Sequence, residues 1–375
     1  MSAKLYICYS INDFFVREAG ISLIGMLDNN PDYGPDEIFF LDYGIHPLNK
    51  EKLDGIAAKY GKRITYLKAK PVTDHIKREF PQLKGWRGTM APNAKAFVEQ
   101  IFPDYVERLL FIDADTVVAG SLSGLQDLDM EGKALGVVPA NQASVMIRKG
   151  KQKLTSGNQF YFNSGVLLFN LPAWREEDCP GMIRDTLNKE IDLEMPDQAL
   201  LNNAIPQRLI TKLPLKYNYL SHYIHPRQVR NWLRVGHYYS QEEIDEAIHN
   251  PVIIHYLGGW VMARPWYRNC RSSLGDVYLH YKSMSPWKDS PLMEPYEKTH
   301  PPKGFREKYC FWMLKQYGVS RSFLWVYLLD VLVKPVLFCI FAWIEVCFLR
   351  YEKRTDFQKR RTGTDSGFRI YGENM

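Results

Sequence analysis

The chain has 375 residues, enough for one large domain with an appendage or for two domains. Its hydrophobic fraction of 46% and charged fraction of 24% are those of an ordinary globular protein, and a net charge of +6 gives no argument for nucleic acid as a partner. Six scattered cysteines with no Cys-x-x-Cys pair exclude a disulfide framework and indicate reduced cytoplasmic thiols. The N-terminus has no apolar segment long enough for a signal peptide, so we expect a cytoplasmic protein.

The first 70 residues alternate short apolar runs with helical patterns. Buried strands are predicted over 4–10, 36–44 and 62–69, with helices over 14–27 and 47–61 between them. Strands and helices that alternate at this spacing predict βαβ units and a mostly parallel sheet in an α/β fold.

The same alternation continues to about residue 260. A helix is predicted over 90–106 and a core strand over 108–112. The later predictions are strands over 133–140, 160–171 and 251–259, and helices over 173–190 and 197–205. The sequence contains no internal repeat.

The composition changes after about residue 285. Residues 286–320, rich in proline and charge, are predicted to link a catalytic domain (1–285) to a helical C-terminal segment (321–375). Between Lys303 and Arg361 there are 12 Lys and Arg against 5 Asp and Glu.

Within this segment, residues 322–350 are apolar and aromatic but interrupted by Asp330, Lys334, Pro335 and Glu345. We therefore expect helices that lie on an anionic membrane surface at the inner face of the membrane. The alternatives are an apolar helix packed on the main domain or on a second copy of the chain, and a true membrane span.

The stretch "RLLFIDADTVV" places Asp113 and Asp115 directly after a predicted buried strand. Two neighbouring carboxylates raise each other's pKa unless a positive group lies between them. One interpretation is a site for Mn²⁺ or Mg²⁺ that also binds a diphosphate. A second has Asp113 as a phosphoryl-accepting nucleophile, as in haloacid dehalogenase-type phosphatases, and a third has two solvated acids at a strand end.

Three later segments favour the metal interpretation. "FYFNSGVLLFNL" has a polar turn between apolar runs, and its Gly165 allows close backbone approach to a ligand. "MPDQALLN" places two polar side chains at a helix start, where they could face a polar substrate. "IIHYLGGWVMARPW" offers His255 as a third ligand, with Gly258 and Arg264 as a diphosphate cradle.

Together these motifs resemble the family 8 retaining glycosyltransferases, the group that includes glycogenin and bacterial lipopolysaccharide galactosyl- and glucosyltransferases. The resemblance covers about residues 4–285. It implies a GT-A type Rossmann-like domain. It also implies transfer of a hexose, with retention, from a UDP-sugar such as UDP-glucose or UDP-galactose to a glycan acceptor. The basic, aromatic C-terminal segment points to a lipid-linked acceptor such as lipopolysaccharide, or to capsular or exopolysaccharide.

The resemblance also implies roles for individual residues. The Mn²⁺ (or Mg²⁺) ligands would be Asp113, Asp115 and His255, with the small Ala114 keeping the two carboxylates close without crowding the ion. The expected donor contacts are Tyr9, Ser10, Asp13, Lys95, Ala114, Asn163, Ser164, Gly165, Gly258 and Arg264. Asp197 and Gln198 also match the family's donor-sugar contacts. We expect them to be the catalytic residues, with Gln198 stabilising an oxocarbenium-like state and Asp197 holding sugar hydroxyls.

Two departures from the family pattern affect these assignments. Ile11 follows Ser10 where the family commonly has Asp or Thr, which weakens the expected uracil contact. Arg264 replaces a lysine and stands three residues further from Gly258 than usual. The alternative functions are a haloacid dehalogenase-like phosphatase and a non-catalytic sugar-binding protein.

Overall fold

The computed structural model describes residues 4–86, 88–140, 160–189, 196–221, 238–257, 264–270, 272, 274–295 and 298. The chain divides into two units, Met1–Lys303 and Gly304–Met375, and the described residues all belong to the first. The predicted C-terminal segment and most of the predicted linker therefore lie outside the described residues. No helix in the described ranges has both the length and the apolar character that a membrane crossing requires.

Ten strands are described. They are β1 (Leu5–Ile11), β2 (Glu37–Asp42), β3 (Arg63–Leu67), β4 (Arg108–Ile112), β5 (Thr116–Val118), β6 (Leu135–Pro139), β7 (Phe162–Asn170), β8 (Ile210–Lys212), β9 (Tyr219–Leu220) and β10 (Ile253–His255).

The α-helices of the described residues are α1 (Val16–Asp28), α2 (Pro47–Lys59), α3 (Lys70–Glu79), α4 (Val98–Ile101), α5 (Ser123–Gln126), α6 (Leu171–Glu176), α7 (Cys179–Leu187), α8 (Pro196–Ala204), α9 (Gln241–His249) and α10 (Gly275–Met284). Short 3-10 helices span Asp13–Phe15, Ala91–Phe97, Gln207–Leu209 and Leu215–Asn218.

The larger sheet has seven strands in the order β3-β2-β1-β4-β7-β6-β8. Strands β3, β2, β1 and β4 are parallel, whereas β7 runs antiparallel to both of its neighbours. The predicted α/β fold with a mostly parallel mixed sheet is confirmed. The strand order reverses between β1 and β4, and ligands of open α/β sheets bind beyond the carboxyl ends of strands at such a point.

The central strands are buried on both faces, which explains their continuous apolar sequences. Alternate residues of β4 enter two separate hydrophobic clusters: Leu110 and Ile112 pack into one, and Leu109 and Phe111 into the other. Helix α1 covers the first face, with most of its residues buried.

Two helix predictions were too long. Residues 91–97 form a 3-10 helix, and α4 then lasts only one turn. Phe102 is extended (φ −94°, ψ 144°), as expected for a residue before a proline, so the helix ends there. The predicted helix over 173–190 is two helices, because Asp178 adopts a left-handed conformation (φ 50°) and caps α7 at Gly181.

Candidate active site

Asp113 and Asp115 follow β4 at its carboxyl end, as the sequence predicted. The turn between β4 and β5 is held by two hydrogen bonds to Asp113: its backbone N–H donates to the carbonyl of Gly165 (2.8 Å), and Thr116 Oγ1 donates to its carbonyl (2.8 Å). Ala114 between the two acids is buried. The side chain of Asp113 is 31% exposed and that of Asp115 is 14% exposed.

A second, three-stranded sheet brings His255 to these carboxylates. Strand β10 pairs antiparallel with β5, so that His255 lies opposite Thr116. The backbone N–H of Tyr256 donates to the carbonyl of Asp115 (2.8 Å). The ligand atoms of Asp113, Asp115 and His255 consequently lie within 4.8 Å of one another, close enough to bind a single metal ion.

Two cations flank this cluster. The Lys95 ammonium is buried, lying 2.6 Å from Asp113 Oδ1 and 3.2 Å from Asp197 Oδ2, and it also donates to the carbonyl of Ser164 (2.9 Å). The Arg264 guanidinium lies 3.0 Å from Asp115 Oδ2, while its Nε donates to the carbonyl of Tyr256 (3.2 Å). Arg264 also lies over the ring of Trp266, 5.3 Å from its centroid.

The two acids differ in their pKa directions. Burial raises the pKa of the Asp113 carboxyl, and the charge of Asp115 adds to this against the opposing charge of Lys95. Burial also acts to raise the pKa of Asp115, but His255 and Arg264 outweigh it and hold that pKa well below its usual range. Burial lowers the pKa of Lys95, but Asp113 and Asp197 reverse this, so the pKa of Lys95 lies above its ordinary value.

The predicted donor-sugar residues form a connected group beside the acids. Asn163 Nδ2 and the backbone N–H of Ser164 both donate to Gln198 Oε1, at 3.0 and 3.2 Å. Ser164 Oγ donates to Asp197 Oδ2 (2.7 Å), and the hydrogen bonds that Asp197 accepts from the described residues all end on that oxygen. The N-terminus of α8 and strand β7 thus present their polar groups to one another, next to the Asp113–Lys95 pair.

Gly165 has a more specific role than the expected close approach to a ligand. A Cβ atom at this position would lie 2.1 Å from Cε1 and 2.5 Å from Nδ1 of His255. The imidazole therefore occupies the space that any side chain at position 165 would need.

The three residues predicted to contact uridine lie in different surroundings. Tyr9 is completely buried, stacks on Phe40 and hydrogen-bonds Ser22 through its hydroxyl (3.1 Å), so any contact with a donor would have to come from its backbone. Ser10 Oγ donates to the carbonyl of Ala91 (2.9 Å). Asp13 is exposed, and its Oδ1 accepts from the backbone N–H of His46 and from Asn49 Nδ2, both at 2.8 Å.

Gly258, the other half of the expected diphosphate cradle, lies outside the described residues. Conversely, the structure identifies a site residue that the sequence analysis missed. Asn218 is 1% exposed, and its Oδ1 lies 3.0 Å from His255 Nδ1. A polar residue between Tyr217 and Tyr219 in an otherwise apolar stretch was the available signal, because a buried amide must find hydrogen-bond partners.

Comparison with known proteins agrees with this geometry. The model of the family "Glycosyl transferase family 8" matches residues 6–270. General stress protein A of Bacillus subtilis is 24% identical over 76% of this chain and 94% of its own length. Lipopolysaccharide 1,3-galactosyltransferase of Salmonella typhimurium is 24% identical over 78% of this chain and 82% of its own, and lipopolysaccharide 1,2-glucosyltransferase of Escherichia coli is 26% identical over 81% and 84%.

Solved structures show the same fold. The galactosyltransferase LgtC in complex with donor and acceptor sugar analogs superposes with a TM-score of 0.59 at 20% identity, covering 76% of this chain and 99% of LgtC. The bifunctional glycosyltransferase WbbM gives a TM-score of 0.60 at 19% identity over 77% of this chain, which spans about half (51%) of WbbM. The predicted GT-A fold is confirmed, and the family match favours a glycosyltransferase over the phosphatase alternative. The chain belongs to glycosyl transferase family 8.

Proposed function

We propose that the chain is a metal-dependent retaining hexosyltransferase that transfers glucose or galactose from a UDP-sugar to a glycan acceptor, such as lipopolysaccharide, capsular polysaccharide or exopolysaccharide. The observation that carries the proposal is the convergence of Asp113, Asp115 and His255 beside the polar group of Asn163 and Gln198. One sugar-nucleotide could contact both clusters at once.

The three converging side chains fit a divalent cation. Two carboxylates and one imidazole are a donor set that suits Mn²⁺ and accepts Mg²⁺. A bound ion would offset the negative charge that develops on the departing diphosphate. Arg264 would add a fixed positive charge there, since its guanidinium is already oriented by Tyr256 and Asp115.

The donor sugar would be oriented by Asp197 and Gln198. Asp197 would hold sugar hydroxyls through Oδ1, because Lys95 and Ser164 engage its Oδ2. Gln198 is a poor nucleophile, since its amide oxygen carries no full charge and already accepts hydrogen bonds from Asn163 and Ser164. Its oxygen dipole would instead stabilise the oxocarbenium-like sugar.

We therefore favour front-face attack. The bond between the anomeric carbon and the β-phosphate oxygen breaks, and the acceptor oxygen bonds to that carbon from the same face. The acceptor proton passes to the departing phosphate oxygen. This route needs no dedicated protein base.

A panel of nucleotide-sugars with Mn²⁺, read out as UDP release, tests the proposal and identifies the donor. We expect release from UDP-glucose or UDP-galactose, and loss of at least about a hundredfold in kcat/KM for Asp113→Ala. Asp104→Ala, a change at a fully exposed carboxylate, is the matched control. Full metal-dependent activity of Asp113→Ala would contradict the metal-site assignment, and absence of UDP release from every donor would contradict the transferase.

The C-terminal segment is proposed to hold the enzyme at the inner face of the membrane, next to a lipid-linked acceptor. Tethering raises the effective concentration of a membrane-held acceptor. The full chain should co-sediment with vesicles containing anionic lipid, and the chain without residues 303–375 should stay in the supernatant. Unchanged co-sedimentation of the shortened chain would refute this attachment.

A further inference from the structure

The orientations of two amide side chains in the candidate active site are dictated by the backbone. The N–H of Ser164 lies 3.2 Å from Gln198 Oε1, and the N–H of Gly165 lies 2.9 Å from Asn163 Oδ1. A backbone N–H can only donate, so the atom that it meets must be the amide oxygen and not the amide nitrogen. The usual ambiguity between the two ends of an amide is thereby removed at both residues.

These two orientations determine the orientation of Asn218. Asn163 Nδ2 donates to Gln198 Oε1 (3.0 Å), and Asn163 Oδ1 accepts from Asn218 at 2.9 Å. Because Asn163 presents an oxygen, Asn218 must present its Nδ2. The Oδ1 of Asn218 then faces His255 Nδ1 at 3.0 Å.

The consequence for His255 is that only one tautomer fits when the ring is neutral. Nδ1 must carry the hydrogen, because it faces an amide oxygen, and the lone pair of a neutral ring is then on Nε2. That atom lies 3.1 Å from Asp115 Oδ1. A lone pair directed at a carboxylate oxygen is unfavourable unless a cation or a proton lies between them.

The surrounding secondary structure holds Asn218 in position against His255. It is the last residue of the 3-10 helix Leu215–Asn218 and immediately precedes β9, which pairs with β10 so that Leu220 lies opposite His255. The backbone N–H of Ser221 donates to the carbonyl of His255 (2.9 Å). Both Asn218 and His255 are 1% exposed, so water does not compete for their hydrogen bond.

We propose that Asn218 is a positioning residue that selects the metal-binding tautomer of His255 and connects the metal ligands to the donor-sugar residues through Asn163. The chain of amide hydrogen bonds runs from Gln198 through Asn163 and Asn218 to His255. The inference rests on the proposed function in one respect, the binding of a divalent cation by Asp113, Asp115 and His255. Partners that orient a metal-binding histidine typically change metal affinity by about 10- to 100-fold when they are removed.

Two substitutions test separately the hydrogen bond of Asn218 to His255 and its hydrogen bond to Asn163. Asn218→Leu removes both the acceptor for His255 and the donor to Asn163. Asn218→Asp keeps an acceptor for His255 Nδ1 but cannot donate to Asn163. Asn30→Leu is the matched control, since Asn30 also bonds through both ends of its amide, to Leu122, Met26 and Gly120, away from the carboxylates.

The first measurement uses the metal-free protein. Nitrogen NMR of ¹⁵N-histidine-labelled protein reports, for each ring nitrogen, whether it carries a hydrogen. The His255 signal is assigned from its absence in His255→Gln. We expect a hydrogen on Nδ1 in the wild type, Asn30→Leu and Asn218→Asp, whether or not Asp115 also draws a proton onto Nε2, and a partial or complete loss of the Nδ1 hydrogen in Asn218→Leu.

The second measurement is Mn²⁺ affinity by calorimetry or electron paramagnetic resonance. Asn218→Leu should bind Mn²⁺ about 10- to 100-fold more weakly. Asn218→Asp should stay within about threefold of the wild type or bind more tightly, as carboxylates support metal-binding histidines. UDP-sugar affinity should fall in both variants, because both lose the bond to Asn163.

The outcomes are distinct. An unchanged His255 tautomer in Asn218→Leu, or equal loss of Mn²⁺ affinity in Asn218→Leu and Asn218→Asp, would overturn the positioning role. If the wild type bound no Mn²⁺ and released no UDP from any donor, the proposed function would fail, while the metal-free NMR experiment would still test what Asn218 does to His255.

Discussion

Among single residues of the candidate active site, Gly165 is a position where no side chain fits unless His255 moves. The sequence around this glycine predicted close approach to a ligand, and in the structure the imidazole of His255 takes the space beside it. Asn218, which none of the sequence motifs included, contacts Nδ1 of the same ring. Positions that contact His255 thus come from segments widely separated along the chain.

We predict that Gly165→Ala weakens Mn²⁺ binding by at least about tenfold, because the new methyl group would displace His255 from Asp115. Calorimetric titration of Mn²⁺ measures the effect. Gly55→Ala in α2, where nothing lies within 4 Å of an added Cβ, is the control and should stabilise the protein by roughly 0.5–1 kcal/mol. Wild-type Mn²⁺ affinity in Gly165→Ala would mean that His255 is not a ligand.

Lys95 should be as important for stability as for function. It is the buried cation between Asp113 and Asp197, so Lys95→Met would leave two carboxylates without their partner. We expect the free energy of unfolding, measured with urea, to fall by about 3 kcal/mol or more. Lys70→Met, at an exposed pair with Asp74, should change it by less than about 1 kcal/mol. Equal effects of the two substitutions would contradict the prediction.

At the scale of elements, the parallel strands and their helices follow directly from apolar runs and spacing. Strand β10 lies within the strand predicted over 251–259, but the short strands β5 and β9 do not follow from such patterns, because two or three residues carry no usable periodicity. Their pairing depends on segments that are distant in the chain. The start of helix α2 also depends on a residue from another segment. Asp13, which was expected to contact uridine, accepts hydrogen bonds from His46 and Asn49 at the N-terminus of this helix.

We predict that Asp13→Ala lowers the free energy of unfolding by about 1 kcal/mol, since the first turn of α2 loses an acceptor and a favourable charge. Asp13→Asn should cost less, because it keeps the acceptor oxygen. A large loss of UDP affinity with unchanged stability in Asp13→Ala would instead favour the uridine contact.

The pH dependence has a definite sign. The hydrogen bonds from Asn49 and His46 lower the pKa of Asp13 in the folded protein. The contribution of Asp13 to the free energy of unfolding is therefore complete above the ordinary carboxyl pKa of about 3.9. It is lost as the pH falls through the lower pKa that Asp13 has in the folded protein. The stability difference between the wild type and Asp13→Asn should shrink over that acidic range in urea titrations, and a difference that grew would contradict the assignment.

At the scale of the whole molecule, the packed region reaches beyond the predicted boundary at residue 285. Trp287 is 8% exposed and packs against α1, where a Cβ built on Gly20 would lie 2.5 Å from its ring. The backbone N–H of Met293 donates to the carbonyl of Trp266 (2.7 Å). Trp287 and Met293 therefore contact the main domain, whereas the domain boundary, the linker and the C-terminal segment stay predictions.

We predict that Trp287→Ala lowers the free energy of unfolding by about 3 kcal/mol or more, because a large buried ring is removed. A chain ending at residue 285 should lose a similar free energy of unfolding. A chain ending at residue 303 should have the same free energy of unfolding for this domain as the full chain. Trp86→Ala, at a ring that is 46% exposed, is the control and should cost less than about 1 kcal/mol. A residue-285 chain as stable as the residue-303 chain would support the predicted boundary at residue 285.

The sequence alone predicts the α/β class, the strand that ends at Asp113, and the side chains that could bind a metal and a sugar. These features depend on local patterns: apolar runs, proline and glycine positions, and polar residues at the ends of strands and helices. The pairing of β10 with β5, which places His255 beside Asp115, appears only in the folded chain. The same is true of the ion pairs of Lys95 and Arg264 with the two acids and of the contact between Asn218 and the imidazole. Pairing and buried charge compensation depend on residues far apart in the chain, so no local pattern encodes them.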